Sequence, residues 1–190
     1  MTKKELRRIY LEKRHSFSLD EYIKLNGQLA DNFISSIDLS SVKFLHTFLP
    51  IEKNREPDTR LIIDSIRSRY PKIKISVPRV NDTTGTFENF PFVSYEQLRV
   101  NKWGIPEPER GSPVSAQELD MVLVPLIISD KQGQRVGYGK GYYDKFLSAC
   151  RDDCKLIGIC FFEPAERIDD VSGFDVPLDY CLTPSNLYHF

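Results

Sequence analysis

A chain of 190 residues that is 41% hydrophobic and 28% charged has the size and composition of one soluble globular domain with a substantial core. Its 26 basic and 27 acidic residues nearly cancel, which argues against nucleic acid as the main partner while leaving room for a local anion site. No apolar run reaches the roughly 20 residues a bilayer span needs, and "MTKKELRRIYLEKRHSF" lacks the apolar stretch of a secretion signal.

The basic, amphipathic start resembles a transit peptide, but Glu5 and Glu12 count against that, so a cytoplasmic protein with no membrane partner is expected. Thr2 and Glu5 have the spacing of a capping box and open a first helix with Leu6, Ile9 and Tyr10 inward. Ser18 and Glu21 open a second, with Tyr22, Leu25, Leu29 and Phe33 along one side. "VKFLHTFLP" (42–50) reads as a buried strand ending at Pro50, and "IEKNREPD" (51–58) as a loop. "TRLIIDSIRSRY" predicts a helix facing inward through Leu61, Ile62, Ile66 and Tyr70, stopped by Pro71. "KIKISVP" (72–78) is the next strand. Residues 81–115 look irregular apart from a strand at "GTFENFPF" (85–92).

"LDMVLVPLIIS" (119–129), the most apolar run, predicts a central strand followed by a turn at "DKQGQ" (130–134). "RVGYGKGYYDKF" (135–146) then leads into a helix carrying Tyr143, Phe146, Leu147 and Cys150. "KLIGICFF" (155–162) is another central strand, and "DVPLDYCLTPS" (175–185) holds a last short strand or turn. Strands alternating with helices imply a single α/β domain whose sheet is covered on both faces. Cys150, Cys154, Cys160 and Cys181 read as reduced, partly buried thiols, because His15, His46 and His189 are too scattered to complete a metal site with them. No Ser-His-Asp or Cys-His arrangement appears.

The chemistry concentrates at Gly137, Gly139 and Gly141, three alternating glycines around Lys140. The run matches neither G-x-x-x-x-G-K-[ST] nor G-x-G-x-x-G. Glycine admits positive φ and removes the Cβ that would block a ligand, so such a run can gather backbone N–H groups into an anion nest. A helix starting near Gly141 adds its unsatisfied N–H groups, and Lys140 and Arg135 add charge. Together these favour a polyphosphate. Asp144 has two readings: a stabilising acid in a helix's first turn, or a carboxylate for the Mg²⁺ that nucleotide phosphates carry. Of the neighbours Tyr142 and Tyr143, one should pack inward while the other reaches the site.

At these residues the chain resembles the 5-formyltetrahydrofolate cyclo-ligase family, whose hallmark of Arg followed by G-x-G-K-G-[YF]-Y-D appears as Arg135, Gly137, Gly139, Lys140, Gly141, Tyr142, Tyr143 and Asp144. The resemblance extends over essentially the whole chain, with "WGIPEP" (103–108) and Asp120, Pro125 and Gly133 as further landmarks. It implies a three-layer α/β/α sandwich with a mostly parallel central sheet. It also implies ATP binding by Lys3, Lys4 and Arg7 in "KKELR", by Arg135, and by Gly137, Tyr138, Gly139, Lys140, Gly141, Tyr142 and Tyr143. Arg135 and Lys140 take the catalytic roles. Leu49 and Glu56 in "FLPIEKNREPDT" become folate contacts, and Trp103 and Tyr142 offer flat surfaces for a pterin, Trp103 being equally readable as core. Asp144 and Asp179 become the Mg²⁺ carboxylates. Where the family often shows His-Asp, this chain has Phe174 before Asp175.

The implied reaction turns 5-formyltetrahydrofolate and ATP, with Mg²⁺, into 5,10-methenyltetrahydrofolate, ADP and phosphate, without a covalent enzyme intermediate. Small molecules are then the partners and a monomer is expected. Two other readings stay open on the sequence: a non-catalytic folate or nucleotide binding module, and a different ATP-using phosphotransferase on the same scaffold.

Overall fold

Both capping boxes form. In the computed structural model, which describes residues 1–81, 84–102 and 104–190, the Thr2 hydroxyl accepts the Glu5 N–H at 3.3 Å. The Glu5 carboxylate accepts the Thr2 N–H in return at 2.9 Å. Ser18 and Glu21 repeat the exchange at 3.2 and 2.8 Å. Two otherwise orphaned N–H groups are satisfied each time, fixing the starts of α1 (Lys3–His15) and α2 (Leu19–Ser36). The run 42–50 contributes only β1 (Phe44–His46). In α3 (Arg60–Arg69) the inward face carries Ile62, Ile63 and Ile66, while Leu61 and Tyr70, expected inward, are exposed.

β2 (Lys74–Asn81) pairs antiparallel with β3 (Thr86–Pro91). Within the stretch expected to be irregular, β4 (Leu98–Val100) and β5 (Pro106–Pro108) form a small hairpin of their own. The longest apolar run divides into β6 (Met121–Pro125) and β7 (Ile128–Ser129), and β7 turns back to pair with β8 (Arg135–Val136). Pro125 has no N–H with which to extend a ladder, and Asp130 fixes the turn, its Oδ1 accepting the Gln132 and Gln134 N–H groups at 2.9 and 3.0 Å. α4 (Tyr142–Leu147), β9 (Lys155–Ile159), β10 (Tyr180–Leu182) and β11 (Leu187–His189) complete the chain. β11 carries no sequence signal that separates it from a turn.

Seven strands form the main sheet in the order β11-β10-β9-β6-β1-β2-β3. The inner pairings from β10 to β2 are parallel, and the two edge strands run antiparallel. Alternation along β6 builds the two cores: Met121 and Leu123 join α2 and α3 on one face, while Val122 and Val124 join Leu6 of α1 and Leu147 of α4 on the other. Helices therefore cover both faces, as expected. Among the described residues no helix is long and apolar enough to cross a membrane. The segment after β1, and the hairpin and glycine loop after β6, both leave the C-terminal edge of the parallel strands, where open α/β sheets place their ligands.

His46 ties α4 to the sheet. Its Nδ1 lies 2.7 Å from Asn89 Oδ1 and its Nε2 3.2 Å from the Tyr143 hydroxyl. Since Asn89 Oδ1 can only accept, Nδ1 carries the proton and Nε2 accepts the Tyr143 O–H. The ring stacks on Phe87 at 5.7 Å, and Tyr143 and Phe146 of α4 close over it. Tyr143 is thus the inward-facing tyrosine of the pair. Burial lowers the His46 pKa to about 4, against a smaller opposing effect of the Asn89 hydrogen bond.

Two predictions follow from this packing. Gly133 has φ +76°, and a Cβ there would lie 2.7 Å from the Leu178 carbonyl oxygen. Gly133→Ala should cost about 2 kcal/mol or more in urea unfolding. Gly27→Ala, within α2 and with nothing inside 4 Å, should add about 0.5–1 kcal/mol; an unchanged midpoint for Gly133→Ala would contradict the packing. For His46, between pH 6.5 and about 4 the unfolded chain takes up a proton that the folded chain refuses. Stability should therefore fall as pH drops through that window, by up to roughly 3 kcal/mol from this group. His46→Gln should flatten that slope, and an equally steep slope in the variant would show that another group is responsible.

Candidate active site

One face of α1 lies along the glycine loop. Lys3 and Arg7 are one turn apart, and Arg14, eleven residues beyond Lys3, returns to the same side after three turns. Lys3 Nζ pairs with Asp175 at 2.5 Å. Arg7 Nε donates to the Gly137 carbonyl at 2.7 Å, and Arg14 Nη2 donates to the Tyr138 hydroxyl. Lys4, expected beside them, is exposed on the neighbouring face.

Within the loop, Gly139 and Gly141 have φ +87° and +69°, the left-handed region that β-carbons disfavour. A Cβ on Gly139 would lie 3.4 Å from the Arg7 guanidinium, an ordinary contact, while Cβ atoms on Gly137 and Gly141 would meet nothing within 4 Å. Gly139 and Gly141 are required by their positive φ, and Gly137 and Gly141 leave open space beside the backbone. Lys140 is exposed at the crest. Tyr142, next to the inward-facing Tyr143, is half-buried at the head of α4.

Arg135 is only 7% exposed, and its guanidinium is already occupied. Nη1 donates to the Val176 carbonyl and Nη2 to Asp144 Oδ1 at 2.6 Å. Asp144 Oδ1 also accepts the Val176 N–H at 3.4 Å. The buried arginine therefore fixes the head of α4 against residues 175–176 instead of presenting a free fork. Burial lowers its pKa, opposed by the nearby charges of Asp144 and Asp175. Asp175 accepts from Lys3 and from the Ser172 N–H at 2.6 Å, and these bonds hold its pKa below the usual range although burial pulls the other way.

Asp144 pairs with Arg135 and Asp175 with Lys3, whereas Asp179 joins neither. The Asp179 carboxylate accepts the Leu156 N–H at 2.7 Å, at the opposite, N-terminal ends of β9 and β10. Asp175 was visible in the sequence only as the residue after Phe174, four positions from the one chosen. Phe174 itself is 90% exposed on this rim.

The segment after β1 comes close to Tyr138 of the loop. Glu56 is buried and accepts the Ile51 N–H at 2.7 Å. Burial raises its pKa, while Tyr138, Ile51 and the Arg14 charge oppose that rise. Arg14, 2% exposed, is the compensating cation, and its Nε has no partner. Sequence reasoning missed Arg14, although its place on the Lys3–Arg7 face was a usable signal. Leu49 is buried in the core beneath this segment, and the expected contact of Trp103 lies outside the described residues.

A cavity of about 550 Å³ opens elsewhere, lined by Asp38, Asp120, Arg151, Lys155 and His189 among others. There Arg151 is already matched by Asp120 and Asp153 at 2.9 Å each. No three His, Cys, Asp or Glu side chains among the described residues converge as a metal cluster.

The 5-formyltetrahydrofolate cyclo-ligase family model matches residues 1–184. A probable 5-formyltetrahydrofolate cyclo-ligase of Schizosaccharomyces pombe is 33% identical over 110 residues, covering 50% of this chain and 54% of that protein. The 5-formyltetrahydrofolate cyclo-ligase of Mycoplasma pneumoniae is 26% identical over 188 residues, covering 94% and 96%. The NMR structure of Aquifex aeolicus 5,10-methenyltetrahydrofolate synthetase superposes with a TM-score of 0.81 at 26% identity, covering 100% of this chain and 93% of that one. The chain belongs to the 5-formyltetrahydrofolate cyclo-ligase family.

Proposed function

We propose that this protein is a ligase that closes 5-formyltetrahydrofolate to 5,10-methenyltetrahydrofolate at the expense of ATP, releasing ADP and phosphate. The observation that carries the reading is the open glycine loop, with Lys3, Arg7 and Lys140 around it and buried Glu56 near Tyr138. All these groups come from one chain, so a monomer would suffice.

The formyl oxygen is a poor leaving group. Its attack on the terminal phosphorus of ATP breaks the bond to ADP and gives an iminium phosphate. N10 then attacks the activated carbon, the carbon–oxygen bond breaks, and phosphate leaves. Such a transfer needs in-line placement and charge stabilisation more than a protein nucleophile. Backbone amides of 137–141 and the Lys140 ammonium would cradle the phosphates, and Arg7 would hold the loop in that shape. Arg135 acts as a positioning residue through Asp144. Tyr142 offers the pterin a flat face.

Two carboxylates with hard oxygen donors, Asp144 and Asp175, suit Mg²⁺, which binds proteins through one or two such groups. Bound there, Mg²⁺ would offset phosphate charge. A second reading rests on the pairs seen in the structure: the two carboxylates serve only to hold Arg135 and Lys3 in place.

Purified protein mixed with 5-formyltetrahydrofolate, ATP and Mg²⁺ should develop the near-ultraviolet band of the methenyl product, only when ATP is present. Binding of either ligand without that band would favour a non-catalytic module, and ATP turnover with another acceptor a different phosphotransferase. Lys140→Ala should lower kcat/KM by roughly a hundredfold or more with an unchanged unfolding midpoint; full activity would remove Lys140 from the mechanism. Asp144→Asn and Asp175→Asn should each raise the Mg²⁺ concentration needed for half-maximal rate. A changed KM for ATP with an unchanged magnesium titration would select the scaffolding reading.

A further inference from the structure

Phe174 holds its ring in water on a backbone that is tied down. At 90% exposure it is the barest large apolar side chain among the described residues. Its N–H donates to Ser172 Oγ at 3.3 Å, and the Asp175 N–H donates to the Ser172 carbonyl at 3.1 Å. The Asp175 carboxylate accepts the Ser172 N–H at 2.6 Å and pairs with Lys3 Nζ at 2.5 Å. One residue on, the Val176 N–H donates to Asp144 Oδ1 at 3.4 Å and its carbonyl accepts from Arg135. On the other side, the Lys3 N–H donates to Asp170 Oδ1 at 2.6 Å. The turn is therefore braced against both α1 and the head of α4, and the exposure of the ring is not that of a frayed end. A flat apolar surface held out on a fixed backbone suits a flat ligand.

Helix α1 shows which ligand lies on that side. Lys3 sits beside the turn, Arg7 on the Gly137 carbonyl and Arg14 on the Tyr138 hydroxyl. At 1.5 Å per residue, Lys3 and Arg14 are about 16 Å apart along the helix axis, with the glycine loop between them. The segment carrying Glu56 belongs to the Arg14 end: α1 packs against the turn Glu52–Asn54, and the Arg14 charge reaches Glu56. Phosphoryl transfer places the attacking and leaving oxygens in line through the terminal phosphorus. A formyl substrate held on the Arg14 side therefore directs the departing diphosphate, and the nucleoside behind it, toward Lys3 and Phe174.

We propose that the Phe174 ring stacks on the purine base of the nucleotide. The proposal rests on ATP as cosubstrate of the reaction put forward above. Every base offers a π-face, so the stack adds affinity for a nucleoside triphosphate over bare polyphosphate while barely separating adenine from guanine.

Isothermal titration of the full-length protein with Mg²⁺ and either a non-hydrolysable ATP analogue or inorganic tripolyphosphate tests this. Phe174→Ala should weaken binding of the analogue roughly tenfold or more while leaving tripolyphosphate affinity and the unfolding midpoint unchanged. Phe174→Tyr should restore the affinity for the analogue. In the wild type, nuclear Overhauser contacts should join adenine ring protons to those of Phe174. Undiminished analogue binding by Phe174→Ala, or an equal loss of tripolyphosphate binding, would overturn the stacking alone and leave the nucleotide reading standing. A raised KM for 5-formyltetrahydrofolate with unchanged analogue affinity would put the ring against the pterin and likewise overturn it. Wild-type protein that binds neither probe would overturn the stacking and the nucleotide reading together.

Discussion

The bond from Arg7 to the Gly137 carbonyl, 2.7 Å long and spanning 130 residues of sequence, joins the first helix to the loop between β8 and α4. Without it the basic face of α1 and the glycine run would be separate features. With it, Lys3, Arg7 and Arg14 line one side of a backbone that carries Lys140 at its crest. Glycine at 139 is required by its positive φ of +87°, while a methyl there would make only ordinary contact with the guanidinium.

Charge is balanced locally around that junction. Lys3 rests on Asp175, Arg135 on Asp144, and Arg14 donates to Tyr138 while its charge offsets that of buried Glu56. Buried cations without such partners would be costly. The same pairing fixes geometry: Arg135 spans α4 and residue 176, so the head of α4 cannot drift from the segment that supplies Asp175. His46 holds α4 from beneath by way of Tyr143. The loop is therefore anchored by a helix above and by a neutral, dry hydrogen-bond network below.

Much of this was legible in the sequence, for particular reasons. Capping boxes at Thr2 and Ser18 depend on three-residue spacing and need no tertiary context, so they formed as read. The glycine spacing around Lys140 announced an open backbone, and the periodicity of α1 placed Lys3 and Arg7 together. What the sequence does not show depends on partners far along the chain. Leu61 and Ile63 are equally apolar, and only packing against α2 decides which faces in. The β4–β5 hairpin is short and rich in proline, so its pairing outweighs its composition. Arg135 read as a phosphate fork because the sequence does not show that Val176 and Asp144 already occupy it. Asp179 and Asp175 differ by four positions, and only the fold sends one to Leu156 and the other to Lys3.

The central claim is that backbone amides of residues 137–141 and the α1 cations receive nucleotide phosphates. Amide chemical shifts of labelled protein, followed during titration with a non-hydrolysable ATP analogue and Mg²⁺, test it most directly. The account predicts large, saturable shifts at Gly137, Gly139, Lys140 and Gly141 and along the first turns of α1, with the Arg151–Lys155 cavity unaffected. Saturable binding that moves the cavity residues and leaves the glycine amides in place would contradict it.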